Sequence, residues 1–325
     1  MHYNDIFCYP WLRAQWQVVY QPCCLDRPYT LNAWPIRYPE VRWTDQTIVI
    51  MHTQDFLTID GQGCSELRTM EQHFGDRCRQ VIVVHWNYNL GRVYSGPLNL
   101  VYFPTHTYEI IQNLRSGPMS AWRHQLPQHR HRRWQCLNGI PRSHRRCVHA
   151  WLKPHANGIT CLGKIDPLPQ DAYHDVYTWT GDPLINENNF LRLSWLYEHT
   201  WINIVTETQY TESPGIISEK TLCALLAQQI PIVIGYRGIV EDCRSIGFDM
   251  FDDIVDNSYD DLDDLVRWEQ ALERNRDLIL GDSDLEHLRP RLLRQREWVL
   301  DQWPQQMIQN YQQRSSEILE NLTKT

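Results

Sequence analysis

Short apolar runs alternate along the chain with segments whose apolar residues recur at helical spacing. In the first part of the chain, the apolar runs are 47–51, 80–85 and 99–103. Helical patterns lie near 64–74 and 108–114. Continuous apolar runs that alternate with helices are typical of buried strands in a parallel sheet. This pattern predicts an α/β domain.

The same alternation returns after residues 116–128, a segment punctuated by Pro and Gly that we interpret as a linker. The predicted elements of the second half are strand 134–137, helix 143–152, strand 159–163, helix 187–199, strand 201–206, helix 219–228 and strand 231–235. The sequence therefore predicts two α/β domains, with residues 1–125 in the first and residues 126–282 in the second.

The pattern near the C-terminus is helical, with candidate helices at 262–280 and 284–322. Pro290 suits the first turn of the second helix, because the amide that proline lacks would be unpaired there in any case. Pro304 falls inside the same helix, and we expect it to kink or divide that helix. The first 40 residues are rich in Trp and Pro and predict an irregular segment.

Residues 202–235 predict a strand, a polar loop, a helix and a second strand. Ser218 is a candidate N-cap, and Glu219 and Lys220 occupy the first turn of the helix. Because a helix start presents unpaired N–H groups and partial positive charge, a diphosphate could bind there. Lys220 would pair with the diphosphate, and Glu219 would accept hydrogen bonds from ribose. Alternatively, Glu219 only complements the helix dipole and Lys220 is a solvated charge.

Residues 218–235, SEKTLCALLAQQIPIVIG, resemble the donor-site signature of the α-1,3-fucosyltransferases. In that family Thr-Glu-Lys is followed by Asn-Ala and by Val-Pro-Val-Val-x-Gly. Glu207 lies where the family has the Glu of a Phe-Glu-Asn-Ser segment. Residues 136–146 and 247–260 resemble segments of related glycosyltransferase-like proteins, many of them viral. The similar region spans roughly residues 134–265.

The chain departs from that signature at three positions. Thr208 replaces an Asn, Ile216 stands where a Tyr is usual, and Cys223 replaces the Asn of Asn-Ala. The Glu-Lys pair is kept. The resemblance therefore implies a nucleotide-sugar donor site whose substrate-binding residues include Glu207, Ser218, Glu219 and Lys220, and a GDP-fucose-like donor is one alternative.

The resemblance also implies a GT-B-like fold, in which two Rossmann-like domains are followed by a long C-terminal helical segment. Residues 1–125 would bind the acceptor, residues 126–282 would bind the donor, and residues 283–325 would return to the first domain. The implied activity is an inverting, metal-independent glycosyltransferase. It would use a nucleotide-diphosphate sugar as donor substrate, a glycan or protein hydroxyl as acceptor, and no further cofactor.

Seven arginines and five histidines lie within residues 123–149, with almost no acidic residue between them. Such a stretch attracts phosphate. The acidic segment 249–264 and the net charge of −8 argue against a broad nucleic-acid surface. A diphosphate needs only one or two guanidinium groups. Arg142 and Arg145 are the candidates, because they lie between a predicted strand end and the following helix, whereas most of the other arginines are expected to be solvated.

An inverting transfer needs a base that deprotonates the acceptor, and the resemblance implies that the first domain supplies it. Loops at strand ends are the expected location. Asp55, just beyond the first predicted strand, is the first candidate, with His52 next. His85 and His106 occupy comparable positions. A structural role is the alternative for each histidine.

The composition bounds the remaining possibilities. With 42% hydrophobic and 22% charged residues, it is ordinary for a soluble globular protein. No apolar run reaches the roughly 20 residues that cross a bilayer, and the N-terminus lacks a signal-peptide pattern. We therefore expect no membrane partner and a cytoplasmic location, which would be the host cytoplasm for a viral protein. The ten cysteines are irregularly spaced and predict reduced core thiols.

Metal binding is not expected from the sequence. Cys23 and Cys24 have no second close pair, so they do not form a zinc motif. Asp252-Asp253 and Asp260-Asp261 lie in the acidic segment, where solvation or helix capping is expected. An inactive transferase-fold protein that serves assembly, for example in a virion, is the main alternative to an enzyme, and nucleic-acid binding through the arginines is a weaker one.

Overall fold

The protein has a mixed α/β structure with two parallel sheets. The computed structural model describes residues 17–23, 47–53, 65–74, 80–85, 90, 94–104, 107–108, 111, 130–168, 194–211, 215 and 217–323. The chain divides into two compact units. Unit 1 comprises Met1–Glu109, Glu212–Ile216 and Pro304–Thr325, and unit 2 comprises Ile110–Thr211 and Ile217–Trp303.

The described sheet of unit 1 has four parallel strands in the order β1–β2–β3–β4. They are β1 (Gln17–Cys23), β2 (Thr47–Thr53), β3 (Gln80–His85) and β4 (Asn99–Tyr102), and helix α1 (Ser65–Phe74) lies between β2 and β3 in the chain. The described side chains of β3 are buried, which agrees with its β-branched, apolar sequence. The three strands and the helix predicted for residues 47–103 are confirmed within two residues.

Strand β1 was not predicted, since the N-terminal residues were interpreted as irregular. It pairs in parallel with β2 and lies at the edge of the sheet that the described residues form. Pro22 falls inside β1, and an edge strand tolerates a proline because its missing amide costs no ladder hydrogen bond on the open side. The predicted linker at 116–128 lies outside the described residues, as does most of the predicted helix at 108–114.

The described sheet of unit 2 also has four parallel strands, in the order β6–β5–β7–β8. These strands are β5 (Arg132–Asn138), β6 (Gly158–Leu162), β7 (Thr200–Thr206) and β8 (Ile230–Ile234). The helices between and after them are α2 (Ser143–Leu152), α3 (Ser194–Glu198), α4 (Glu219–Leu226) and α5 (Ile239–Ile246). All residues of β7 and β8 are buried. The continuously apolar sequence of β8 is typical of a buried parallel strand, whereas β7 also buries Thr200, Asn203 and Thr206.

The elements predicted for unit 2 are present with ends that differ by at most two residues, apart from the helix predicted at 187–199. That helix is seen as the shorter α3, and residues 187–193 lie outside the described residues. Ser218 caps α4, which confirms the N-cap prediction. Periodicity therefore sufficed for these elements.

The strand order of this sheet reverses between β5 and β7. From β5 the chain passes outwards to β6, and it then returns so that β7 pairs with the other side of β5. In open parallel sheets, the loops that leave the strands at such a switch point diverge and form a crevice at the carboxyl ends. The ends of β5 at Asn138 and of β7 at Thr206 define this position in unit 2.

The C-terminal part of the chain is helical. Its elements are α6 (Asp264–Arg274), α7 (Arg276–Leu280), a 3-10 turn (Glu286–Leu288), α8 (Arg289–Glu297), a π-helical segment (Trp298–Gln302) and α9 (Trp303–Thr323). Pro290 lies in the first turn of α8, as predicted. The helix is divided just before Pro304, where the π-helical segment ends and the Trp303 amide donates to the carbonyl oxygen of Trp298.

Helix α9 contributes to the core of unit 1. Tyr311 packs edge-on against Phe103 with ring centroids 5.6 Å apart, and both side chains are buried. Among the residues that the structure describes, no helix has both the length and the apolar sequence needed to span a membrane.

Candidate functional site

Three basic side chains, hereafter the cationic cluster of Arg142, Arg145 and Lys220, meet at the exits of β5 and β7. Nη1 of Arg142 donates to the backbone oxygen of Thr208 at 2.9 Å, and Nζ of Lys220 lies 3.3 Å from Oγ1 of Thr208. Nη2 of Arg145 donates to the backbone oxygen of Thr206 at 3.1 Å. The exit of β7 therefore brings together cations from α2 and α4, on the two sides of the switch point.

Lys220 is held by its neighbours without being buried. Its Nζ lies 2.9 Å from Oε1 of Glu219, and the two side chains are 29% and 31% exposed. Nζ also lies 3.2 Å from Oγ of Ser218. Ion pairs with this degree of exposure contribute only about 0–1 kcal/mol to folding stability. An anionic ligand that replaced Glu219 as the partner of the ammonium group would therefore cost the protein little stability.

Glu207, the first residue after β7, is fully buried. Its Oε1 accepts hydrogen bonds from the Ser218 amide at 3.2 Å and from Oγ1 of Thr221 at 2.7 Å. Its Oε2 accepts from the Thr208 amide at 3.3 Å, and its own amide donates to Ile234 of β8 at 2.9 Å. Glu207 thus joins the exit of β7 to the start of α4. Its carboxylate is buried, and it holds in place the backbone segments that carry Thr208 and Lys220.

Gly235 allows this carboxylate to lie close to the end of β8. A Cβ atom at position 235 would be 3.1 Å from Cβ of Glu207 and 2.7 Å from Cδ1 of Ile239. These distances are shorter than ordinary van der Waals contacts, so a larger residue would displace Glu207 or the start of α5. Packing therefore favours glycine at the end of the 218–235 segment, because any side chain there would require Ile239 and Glu207 to shift.

The starts of α2 and α4 differ in their electrostatics. Ser218 Oγ accepts from the Lys220 amide at 3.2 Å, and Glu219 adds an acidic side chain to the first turn of α4. The start of α2 has no side-chain cap and no acidic residue in its first turn, and Arg142 and Arg145 lie there. The amides of a helix start carry partial positive charge. The start of α2 is consequently the more electropositive of the two, whereas the sequence had pointed to the start of α4.

Arg145 has an unusual environment for a guanidinium group. It is only 3% exposed, and its Nε has no hydrogen-bond partner among the described residues. Burial, followed by the nearby charge of Arg142, lowers the pKa of Arg145. Two positive charges held this close, with backbone carbonyls as their hydrogen-bond acceptors, favour an anion beside them.

An aromatic stack that the sequence did not reveal supports the loop after β7. The His144 ring stacks on Tyr210, with centroids 4.4 Å apart and planes inclined by 7°. Cζ of Arg267 lies 4.9 Å from the centroid of the Tyr210 ring. The Tyr210 hydroxyl donates to the backbone oxygen of Asp264 at 2.6 Å. No local spacing links positions 144, 210 and 267, so only the fold could bring them together.

His144 is neutral in this environment. Burial, followed by the charge of Arg145, lowers its pKa to about 4. Its Nε2 lies 3.1 Å from the backbone oxygen of Glu207. Because a carbonyl oxygen only accepts, Nε2 must carry the ring proton. The histidine thus fixes the backbone of Glu207 without adding charge.

The described arginines of the basic stretch, from Arg130 onwards, lie in two groups rather than on one surface. Arg130 and Arg133 lie at the amino end of β5, whereas Arg142 and Arg145 follow its carboxyl end. A seven-residue strand separates the two groups by roughly 20 Å. Nη1 of Arg130 and Nε of Arg133 donate to backbone oxygens at 2.9 and 2.8 Å. The arginines at the amino end therefore connect backbone segments of unit 2.

The candidates for the base belong to unit 1. Asp55 and His106 lie outside the described residues, and only the backbone of His52, in β2, is described. His85 ends β3, is 2% exposed, and has its ring centroid 6.3 Å from that of Tyr102. The catalytic roles of Asp55 and His52 stay predictions.

The described cysteines are free thiols, and the described residues contain no cluster that could hold a metal ion. Cys136, Cys161, Cys223 and Cys243 are buried and free, and Cys147 is free and partly exposed. Within the described ranges, no group of three or more His, Cys, Asp or Glu residues is placed to hold a metal ion.

No protein-family model matches the chain, and no curated protein matches it. The similarity of residues 134–265 to the fucosyltransferases therefore stays an expectation from the motifs.

Proposed function

We propose that the protein is a glycosyltransferase that moves a sugar from a nucleotide-diphosphate donor to a hydroxyl acceptor, with inversion and without a metal ion. A GDP-fucose-like donor is one alternative, and the acceptor is a glycan or protein hydroxyl. The proposal includes a GT-B-like arrangement of two Rossmann-like domains. The observation that carries it is the convergence of Arg142 and Lys220 on Thr208 at the switch point of the second sheet.

The chemistry of the leaving group explains why this convergence matters. When the glycosidic bond of the donor breaks, negative charge develops on the diphosphate. Fixed cations and helix-start amides stabilise such charge in the transition state without reorganising. Arg142 and Arg145 supply guanidinium groups, Lys220 supplies an ammonium group, and the uncapped start of α2 supplies backbone donors.

The same geometry gives roles to the remaining site residues. Once a phosphate binds Lys220, Oε1 of Glu219 loses its ammonium partner and can accept a hydrogen bond from a ribose hydroxyl. Ser218 and Glu207 hold the start of α4 and the loop after β7 in place. Asp55 is the proposed base of the acceptor domain, with His52 as the alternative.

Calorimetric titration with GDP, UDP and CMP tests the proposal. The variants are Lys220→Ala and Arg142→Ala. Both side chains are partly or fully exposed, so we expect both variants to fold. The matched control is Lys153→Ala, since Lys153 is 61% exposed and follows the C-terminal end of α2. The start of that helix is about 15 Å away.

We expect one of the diphosphates to bind the wild type more tightly than CMP. Loss of one charged hydrogen bond is worth about 1.5–3 kcal/mol, so each site variant should bind that diphosphate about ten- to a hundredfold more weakly. Lys153→Ala should match the wild type. If no nucleotide binds, or if Lys153→Ala weakens binding as much as Lys220→Ala, the donor site is refuted. Absence of binding would favour an inactive protein that serves assembly.

A further inference from the structure

Unit 2 contains a concave site that none of the residues of the cationic cluster lines. It is an open pocket of about 730 Å³, lined by the first turns of α5 and by the loop 252–261. This volume is within the range of pockets that hold small ligands. Six carboxylates and one guanidinium group line it, and we call it the acidic pocket. The carboxylates belong to Glu241, Asp252, Asp253, Asp256, Asp260 and Asp261.

Only three of these six carboxylates form ion pairs with a described residue, and they share two guanidinium groups, one of which also pairs with Asp249. Arg244 pairs with Glu241 at 2.9 Å and also with Asp252. Arg291 pairs with Asp253 at 2.6 Å. No ion pair joins Asp260 or Asp261 to another described residue. The pocket therefore keeps an excess of negative charge, which attracts cations and repels nucleotides.

Asp260 carries the strongest indication of a ligand. Its Oδ2 accepts from the amides of Val240 and Glu241 at 3.0 and 3.2 Å and so caps the start of α5. Its Oδ1 is buried and has no hydrogen-bond partner among the described residues, although the residue is only 5% exposed. A buried carboxylate oxygen without a donor costs free energy that a bound donor would recover.

Burial also raises the pKa of Asp260 to about 6, so the carboxylate is ionised at neutral pH but poorly solvated. Hydrogen bonds from the amides of Val240 and Glu241 oppose the rise. A donor that carries positive charge would satisfy Oδ1 and its charge together. An anion or a neutral apolar ligand would do neither.

The chemistry of the donor follows from the geometry of the pocket. No described group of residues has the arrangement for a metal ion. An ammonium group presents three donors and needs no fixed coordination sphere, so it can bond Oδ1 of Asp260 while its charge faces Asp261. We propose that the acidic pocket binds an organic cation with a primary ammonium group, either a free polyamine or a lysine side chain of a partner protein.

Binding of spermidine and of a lysine-rich peptide to the full-length protein, measured by calorimetry, tests this proposal. Asp260→Asn keeps the shape of the side chain and an oxygen for the α5 amides but removes the charge. Asp261→Asn removes a charge at an exposed position that caps no helix. Asp277→Asn is the matched control, since Asp277 is exposed on α7 and does not line the pocket.

We expect saturable binding of at least one probe, at least tenfold weaker binding by Asp260→Asn, and several-fold weaker binding by Asp261→Asn. The tighter of the two probes identifies the source of the ammonium group. Asp277→Asn and Lys220→Ala should bind like the wild type, and the latter result separates this site from the proposed donor site. Absence of binding by both probes, or an equal loss in Asp277→Asn and Asp261→Asn, overturns the proposal. If Asp260→Asn does not fold by circular dichroism, Asp261→Asn decides.

Discussion

His144 and Asp260 should give the stability of unit 2 opposite dependences on pH. The pKa of His144 is about 4 in the folded protein, against an ordinary value of 6.5, because the ring is buried beside Arg145. Between pH 6.5 and 4, the unfolded chain takes up a proton that the folded protein does not. Folding stability is therefore fully present above pH 6.5 and falls as the pH drops to 4, by about 3 kcal/mol.

Asp260 acts in the other direction. Burial raises its pKa to about 6 from an ordinary 3.8, so between these values the folded protein holds a proton that the unfolded chain has released. Lowering the pH through 6 consequently increases stability, again by about 3 kcal/mol. The two intervals overlap almost completely. In the wild type we expect the pH-dependent contributions of His144 and Asp260 to folding stability to cancel, so that the measured stability shows neither of them.

Single substitutions should reveal each contribution. His144→Phe keeps a ring stacked on Tyr210 but cannot titrate, so its stability should rise relative to the wild type as the pH falls from 6.5 to 4. Loss of the hydrogen bond to Glu207 should lower the whole curve by about 1 kcal/mol without changing its slope. Asp260→Asn should instead lose about 3 kcal/mol relative to the wild type over the same interval.

The assay is urea unfolding followed by circular dichroism at half-unit steps between pH 7.5 and 4. Comparison of slopes removes the constant cost of each substitution. Two curves parallel to that of the wild type would refute the electrostatic reasoning. A change of the same sign in both variants would show that packing, rather than protonation, controls the response.

Three further substitutions test how the site is built. Glu207→Gln should destabilise the protein by about 1–3 kcal/mol in urea unfolding, because an amide group cannot accept all the bonds that the carboxylate accepts, and an unchanged midpoint would contradict this role. Gly235→Ala should lower the free energy of unfolding by about 1–3 kcal/mol in the same assay, because the added methyl group would contact Glu207. An unchanged free energy would mean that the neighbouring side chains shift without strain. Arg267→Met should cost about 3–5 kcal/mol, since the fully buried guanidinium serves the carbonyl oxygens of Gly235 and Tyr210; a thermal midpoint within a degree of the wild type would be inconsistent with that.

The fold of unit 2 was largely predictable because two of its described strands, β7 and β8, are buried along their whole length. Apolar runs such as those in β7 and β8 have few alternative interpretations once a polar loop and a capped helix lie between them. Strand β1 was missed because Pro22 lowers strand propensity without regard to position in the sheet. The structure is needed to show that β1 pairs with one described strand, β2, and that the proline therefore lies in an edge strand.

The cationic cluster was predictable in its members but not in its arrangement. Arg142, Arg145 and Lys220 follow from their positions at element ends. Which of the two helix starts is more electropositive does not follow from the sequence, because the amides at the start of α4 are satisfied by Ser218 and by the carboxylate of Glu207, which follows β7. Arg267 could not be identified at all, since a single arginine in an otherwise amphipathic helix is ordinarily solvated.

The location of the site depends on strand order, which periodicity does not encode. Neighbouring strands lie about 4.8 Å apart, so β7 delivers Thr208 next to the exit of β5 only because the two strands pair. If β7 had instead paired with the outer edge of β6, the exits of β5 and β7 would be separated by about 10 Å, with the exit of β6 between them. Arg142 and Lys220 would then have no common partner in Thr208. The order β6–β5–β7–β8 is therefore what brings three basic residues that are scattered along the chain together at one end of the sheet.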